Sequence, residues 1–330
     1  MIQVRSWLLF LFLLAIAPSC VAQARSEMSI ATPAQVQGFV VARDGKVVAG
    51  WGKDGKVRVW NLPAGQVIRS LEPNGEGASQ VCALSNLPCG LLLSQDGRWL
   101  FFGDSKGGVH IWDSTTGDVR FETSLAHYIS TAALSRDGAT LAAASTGEPA
   151  QVFDLRSKRR LFQLTSDFGG PMAVKFSPDG SLIASADTDT AIRVFDTHTG
   201  KLRWRFDEMT LEPFTIDFTP DNKFVLVGGP NKSLILLDAS SGKAVLSYPK
   251  QKDVVRYLEI SPDGSAVAVA YVDEKGSNIL APVMIFELSS GNVRAQWTPE
   301  TPIIGGGWIS DGHLLLATAT PEALHIWSLR

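Results

Sequence analysis

Along residues 173 to 207, apolar-rich β-type segments form four short runs, 173–176, 182–186, 191–196 and 202–207, each bounded by turn-forming residues. Pro178-Asp179-Gly180 presets one tight turn, Asp187 to Thr190 a second and Thr199-Gly200 a third. In the third run Ile192 and Val194 point one way and Arg193 and Phe195 the other. The pattern predicts a four-stranded antiparallel meander. A sheet this small cannot bury its own faces and needs copies of itself on either side.

The chain supplies those copies. The aspartate of the first turn recurs as Asp44, Asp96, Asp137, Asp179, Asp221, Asp263 and Asp311, at spacings of 52, 41, 42, 42, 42 and 48 residues. Gly follows it in six copies and Asn222 in the other, both tolerant of the positive φ such a turn demands. A bulky apolar residue closes the third strand at Trp60, Trp112, Phe153, Phe195, Leu237, Phe286 and Trp327. It lies 16 residues after the turn aspartate in every copy but the sixth, where the gap is 23. Five residues further on stand Gly65, Gly117, Gly200, Gly242 and Gly291, with Lys158 in place of Gly in the third copy. Three landmarks in fixed phase define a repeat.

Ser177-Pro178-Asp179-Gly180 and Ser261-Pro262-Asp263-Gly264 in the first turn resemble the WD-repeat β-propeller family. So do Ile111-Trp112-Asp113 and Ile326-Trp327 at the end of the third strand, with Val152-Phe153-Asp154 and Val194-Phe195-Asp196 as variants. The resemblance covers residues 26 to 330 and is degenerate. The family's Gly-His dipeptide is absent from every copy, and the Asp six residues before the Trp survives only as Asp54 and Asp189. It implies an all-β, seven-bladed propeller of four-stranded antiparallel blades, with the family's buried polar network mostly missing and apolar packing in its place.

The seventh copy ends at Arg330 without a fourth strand, and the segment 26–34 is expected to supply it, closing the ring and removing exposed edges. Residues 25–330 then form one domain. Two insertions break the spacing, at 72–91 and 272–281. Propeller topology puts both on one face, and long loops on a rigid scaffold are where binding tends to sit. Cys82 and Cys89 fall in the first insertion, where a disulfide suits an exported chain; two buried strand thiols are the plain alternative.

Residues 1–24 read as a secretory signal: a basic start, an apolar run over 7–17 and the Ala22-Gln23-Ala24 cleavage pattern, with cleavage after Ala22 as an alternative. This predicts an exported, periplasmic protein, released rather than anchored by a lipid on Cys20. The formal net charge of −3 gives no electrostatic reason to expect nucleic acid or an anionic membrane surface.

Catalytic chemistry finds little support. Gly50-Trp51-Gly52-Lys53-Asp54-Gly55 fits a dinucleotide fingerprint but leads into a strand, not a helix. The five histidines are scattered without zinc spacing, and His110 and His325 share a repeat position with Arg58 and Arg193, which argues for a structural role. Asp187 and Asp189 read as a turn pair, and Arg156, Lys158, Arg159 and Arg160 as solvated charge. Trp204 looks like part of the tryptophan motif of quinone-cofactor propellers, but the other copies do not share it. No catalytic residue, metal or cofactor is assigned.

The reading is a monomeric, non-enzymatic scaffold for protein partners. Its candidate contacts are His127, Tyr128, Asp167, Phe168, Glu208, Met209, Glu274 and Lys275, on the inserted face. A hydrolase- or lactonase-type propeller with its site in the central channel is one alternative. An accessory factor in envelope assembly or transport is another.

Overall fold

Each repeat opens with the same hydrogen-bonded turn. Oδ1 of the turn aspartate accepts the N–H two residues on, at all seven positions from Asp44 to Asp311. A hydroxyl two residues before it completes the turn. Ser177 Oγ donates to Asp179 at 2.7 Å and accepts the Leu182 N–H at 2.9 Å. Ser94, Ser135, Thr219 and Ser261 do the same in their copies. The next residue is left-handed, with φ of 74° at Gly180 and 61° at Asn222. In the turn before the fourth strand, Lys158 holds φ at 58° where the other copies place Gly.

The computed structural model describes residues 25–73, 90–232, 234–249, 253–272 and 282–329, the side chains of 25–27 and 272 excepted. Residues 1–24 with Cys20, the Cys82–Cys89 pair, and Glu274 and Lys275 lie outside the described residues. Among those described there are 28 strands and no helix. They form five four-stranded antiparallel sheets and one sheet of eight strands. The larger sheet is two four-stranded antiparallel groups side by side, joined at the parallel pair Phe39–Gly305. This repeated all-β arrangement is that of a β-propeller. The strand Arg25–Ala31 runs antiparallel along Ala323–Leu329, with Met28 opposite Ile326 and Ala31 opposite Ala323.

We number the four-stranded units by their inner strands: Val36–Val41, Leu91–Leu93, Ile129–Leu134, Pro171–Phe176, Thr215–Phe218, Val254–Ile260 and Ile303–Trp308. Each touches the next, and the last touches the first. Apolar side chains are divided accordingly into wedges between neighbouring units. Units four and five share Ile192, Val194, Trp204, Phe206, Ile216 and Val225. Units seven and one share Ile30, Phe39, Trp60, Leu315 and Ile326. No unit buries its faces without its neighbours, as the size of a single meander demands.

An inner strand is also a sheet edge whose free N–H groups need acceptors. Side chains of the preceding unit provide them. Val174 N donates to Thr131 Oγ1 at 3.3 Å, Leu258 N to Thr215 Oγ1 at 3.2 Å, and Ile260 N to Asp217 Oδ2 at 2.9 Å. Outer strands reach forward in the same sense: Trp204 Nε1 donates to the Ala239 carbonyl at 2.7 Å. Trp204 is a joint between units four and five.

The expectation that apolar packing alone holds the units needs correction. Two residues before the bulky apolar position, three units carry a buried base paired with acids at the second turn and, for His110, with Glu122 of the outer strand as well. Arg58 bonds Asp54. His110 lies 3.4 Å from Asp104 and 3.1 Å from Glu122. Arg193 meets Asp187 and Asp189. These buried polar contacts add to the apolar packing in units one, two and four.

Candidate interaction face

The connections between units enter the inner strands at one end, and the second-to-third strand turns pack against them there. Thr146 N donates to the Tyr128 carbonyl at 3.1 Å, and Thr188 N to the Gly170 carbonyl at 3.2 Å. His127, Tyr128, Asp167, Phe168 and Glu208 therefore share a face, each on the connection leading into an inner strand.

The connection before unit four is closely braced. Gly169 and Gly170 let it lie close against its neighbours: a Cβ at Gly170 would sit 2.2 Å from the Glu148 carbonyl oxygen, and one at Gly169 2.2 Å from Thr188 Oγ1. Ser166 Oγ donates to the Gly169 carbonyl at 2.8 Å. Beside it lies a cluster centred on Arg193, which is only 2% exposed. Its Nη1 bonds Asp187 Oδ2 at 2.6 Å and Asp189 Oδ1 at 3.0 Å, and its Nη2 reaches Asp189 Oδ2 at 2.5 Å and Asp167 Oδ2 at 3.3 Å. Ser185 Oγ adds a bond to Asp187 at 3.0 Å. Arg205 sits directly across the strand pair from Arg193 and bonds both Asp167 and Asp207. Two arginines opposite each other repel, and the carboxylates between them remove that cost.

Protonation follows from this geometry. Burial opposes the Arg193 charge, but the bonds from Asp189 and Asp187 outweigh it and raise its pKa. The bond from Arg205 holds the Asp167 carboxyl below its usual range. Burial pushes Asp187 up against the pull of Arg193.

The cluster fixes the backbone next to Phe168, whose ring is 77% exposed, the most exposed large apolar side chain among the described residues. On the following connection Leu211 is 49% exposed, and Glu208 and Glu212 beside it are exposed. The four aspartates of the cluster outnumber its two arginines. This sector therefore presents two apolar side chains in an acidic surround. Single exposed apolar residues are ordinary; Phe168 differs in standing on a connection whose backbone the neighbouring charge cluster braces.

The sequence-predicted contacts divide here. Asp167 and Phe168 are brought together, Glu208 lies exposed on the next connection, and His127 is exposed with Tyr128 half-buried one unit away. Met209 is a correction: it is 4% exposed and packed in the wedge between units four and five, because the connection folds inward straight after Glu208. Sequence reasoning missed Leu211, whose only signal was an apolar residue between Glu208 and Glu212. It also missed a charged group at the opposite end of the channel, where Arg43, Lys175, Asp217 and Glu259 converge. Among the described residues, no three His, Cys, Asp or Glu side chains are arranged to hold a metal ion. Arg156, Lys158, Arg159 and Arg160 are all exposed, away from this face.

Residues 160–196 match the family model described as WD domain, G-beta repeat. The match runs from the outer strand Arg159–Gln163 of unit three through the first three strands of unit four, so the repeat in the sequence is offset by one strand from the sheet. No curated protein matches the chain.

Proposed function

Taking the chain as a member of the WD-repeat, propeller-like family, which the matched repeat and the recurring four-stranded sheets support, we propose that it is an exported seven-bladed scaffold that docks a protein partner on the face carrying Phe168. The observation behind this reading is the exposed Phe168 ring on a connection that Arg193, Arg205 and Asp167 hold in place. A side chain carried on a backbone braced in advance loses less freedom on binding than one on a loose loop. With Leu211 beside Glu208 and Glu212, the face suits a partner that offers an apolar socket rimmed by Lys and Arg.

Export rests on the leader-like stretch 1–24 and its Ala22-Gln23-Ala24 pattern. The mass of the protein recovered from the periplasm tests this: it should correspond to a chain starting at Arg25. A chain retaining residues 1–24, or one carrying lipid on Cys20, defeats that part of the proposal.

The docking face is tested by capture from an envelope extract with wild type, Phe168→Ala and Lys201→Ala. Lys201 is exposed in a turn at the other end of the strands. A partner retained by Lys201→Ala and lost with Phe168→Ala supports the reading; the reverse pattern overturns it.

A further inference from the structure

The first turns gather at the end of the molecule away from Phe168, and there the central channel opens into a cavity of about 350 Å³. All seven inner strands or their turns contribute to its wall. The rim is set by the residue just before each turn aspartate. In units one to three it is Arg43, Gln95 and Arg136; in units four to six it is Pro178, Pro220 and Pro262. Neighbouring units share a type, so the mouth divides into a cationic, hydrogen-bonding arc and an apolar arc.

Inside the rim, four residues before the turn aspartate, three successive units carry Lys175, Asp217 and Glu259. The other units place Val40, Leu92, Ala133 and Gly307 there. The two carboxylates are already engaged by the fold. Asp217 accepts the backbone N–H of Phe218 at 3.0 Å and of Ile260 at 2.9 Å. Glu259 accepts Tyr257 OH at 2.8 Å and Trp308 N–H at 3.3 Å, and pairs with Arg43 at 3.3 Å.

The cations are not engaged to the same degree. Lys175 meets Asp217 at a long 3.5 Å, and its side chain is 44% exposed to the channel. Arg136 is exposed on the cavity wall and has no side-chain partner among the described residues. Three cations face two saturated carboxylates, so one positive charge and several N–H donors are left over. Attraction to Asp217 raises the Lys175 pKa and keeps that ammonium charged. Burial pushes the Glu259 carboxyl up against the pull of Lys175 and Arg43.

We infer that this mouth binds a small organic anion, a carboxylate or a phosphate ester, with its charged end on Arg136, Arg43 and Lys175 and its apolar body against Pro178, Pro220 and Pro262. The cavity volume falls at the small end of ligand pockets, which run from about 300 to 1,000 Å³, and suits a molecule of one ring.

Isothermal titration of the whole mature chain with phenyl phosphate, benzoate and inorganic phosphate, at constant ionic strength, tests this. Phenyl phosphate or benzoate should bind with a Kd below roughly 1 mM and more tightly than inorganic phosphate, and the better of the two identifies the head group. Arg136→Ala, an exposed change that spares the fold, should weaken that binding by about tenfold, the loss typical of one charged hydrogen bond. Phe168→Ala should leave it unchanged, which separates this site from the docking face. Absence of binding by both organic anions at about ten times that Kd, or an unchanged Kd in Arg136→Ala, overturns the inference.

Discussion

Replacing Arg193 by Met keeps most of the buried stem and removes the charge that three carboxylates share. Arg193 and Asp187 are each 2% exposed as side chains and Asp189 is 10% exposed. Deleting one partner of a buried, hydrogen-bonded ion pair costs about 3–5 kcal/mol, because the remaining charge has neither water nor counter-ion. With an m value of about 3 kcal/mol/M in urea, this lowers the unfolding midpoint by about 1–1.7 M. The eight tryptophans beyond residue 24 make fluorescence a ready probe of the transition.

The deficit should also depend on pH, with a definite sign. Burial already raises the Asp187 pKa above its ordinary 3.8, and loss of the guanidinium raises it further. A carboxyl whose folded pKa exceeds its unfolded one favours the folded state below the unfolded value, and that benefit is lost as pH rises through the folded pKa. The variant should therefore be closest to wild type near pH 4 and furthest from it at pH 7. Arg193→Met with Asp187→Asn and Asp189→Asn, which removes charge from both sides, should recover most of the loss. A deficit under about 1 kcal/mol at pH 7 would refute the reasoning, since that is the worth of an exposed pair. So would a deficit that does not change with pH.

Other changes probe the scaffold. Gly305→Ala would place a Cβ 1.9 Å from the Phe39 carbonyl oxygen at a φ of 153°, at the one pairing that joins the first and last inner strands. It should lower stability by about 3 kcal/mol, and a midpoint equal to wild type would show that this junction carries no stability. Lys158→Gly relieves a φ of 58° on a non-glycine residue and should raise stability by about 0.5–1 kcal/mol in the same urea assay. Hydrogen bonds from Ser135 and Ser261 lower the pKa of Asp137 and Asp263, and the bond from Arg203 lowers that of Asp196. Such groups stabilise the fold above their unfolded value of 3.8 and lose that contribution as pH falls through the depressed one, so thermal midpoints should drop steeply below about pH 4.

The scaffold was legible because its signals are local. A hydroxyl, an aspartate and a left-handed residue within four positions determine a turn, and the turn recurs in step with Trp60, Phe195 and their equivalents. The proposed docking face was half legible. Propeller topology placed Asp167 and Phe168 on one face, but the inward path of the chain after Glu208, which buries Met209, depends on the wedge between two units. The channel cluster escaped notice because Lys175, Asp217 and Glu259 are charges at a repeat position that is apolar or Gly in the other units. The repeat signal lies in what the copies share, and these charges lie in how they differ. The bases Arg58, His110 and Arg193 had been recognised as equivalent, but their acids sit at two offsets, Asp54 and Asp189 at one, Asp104 and Asp187 at another. A single motif would not have found them.

The most direct measurement is the dissociation constant of the captured partner for wild type and for Phe168→Ala, each at low and physiological salt. An anchor side chain is worth at least about 2 kcal/mol, so Phe168→Ala should weaken binding roughly 30-fold. The acidic surround predicts that wild-type affinity falls as salt rises. A Phe168→Ala constant within about twofold of wild type, at either salt, would contradict the assignment of this face.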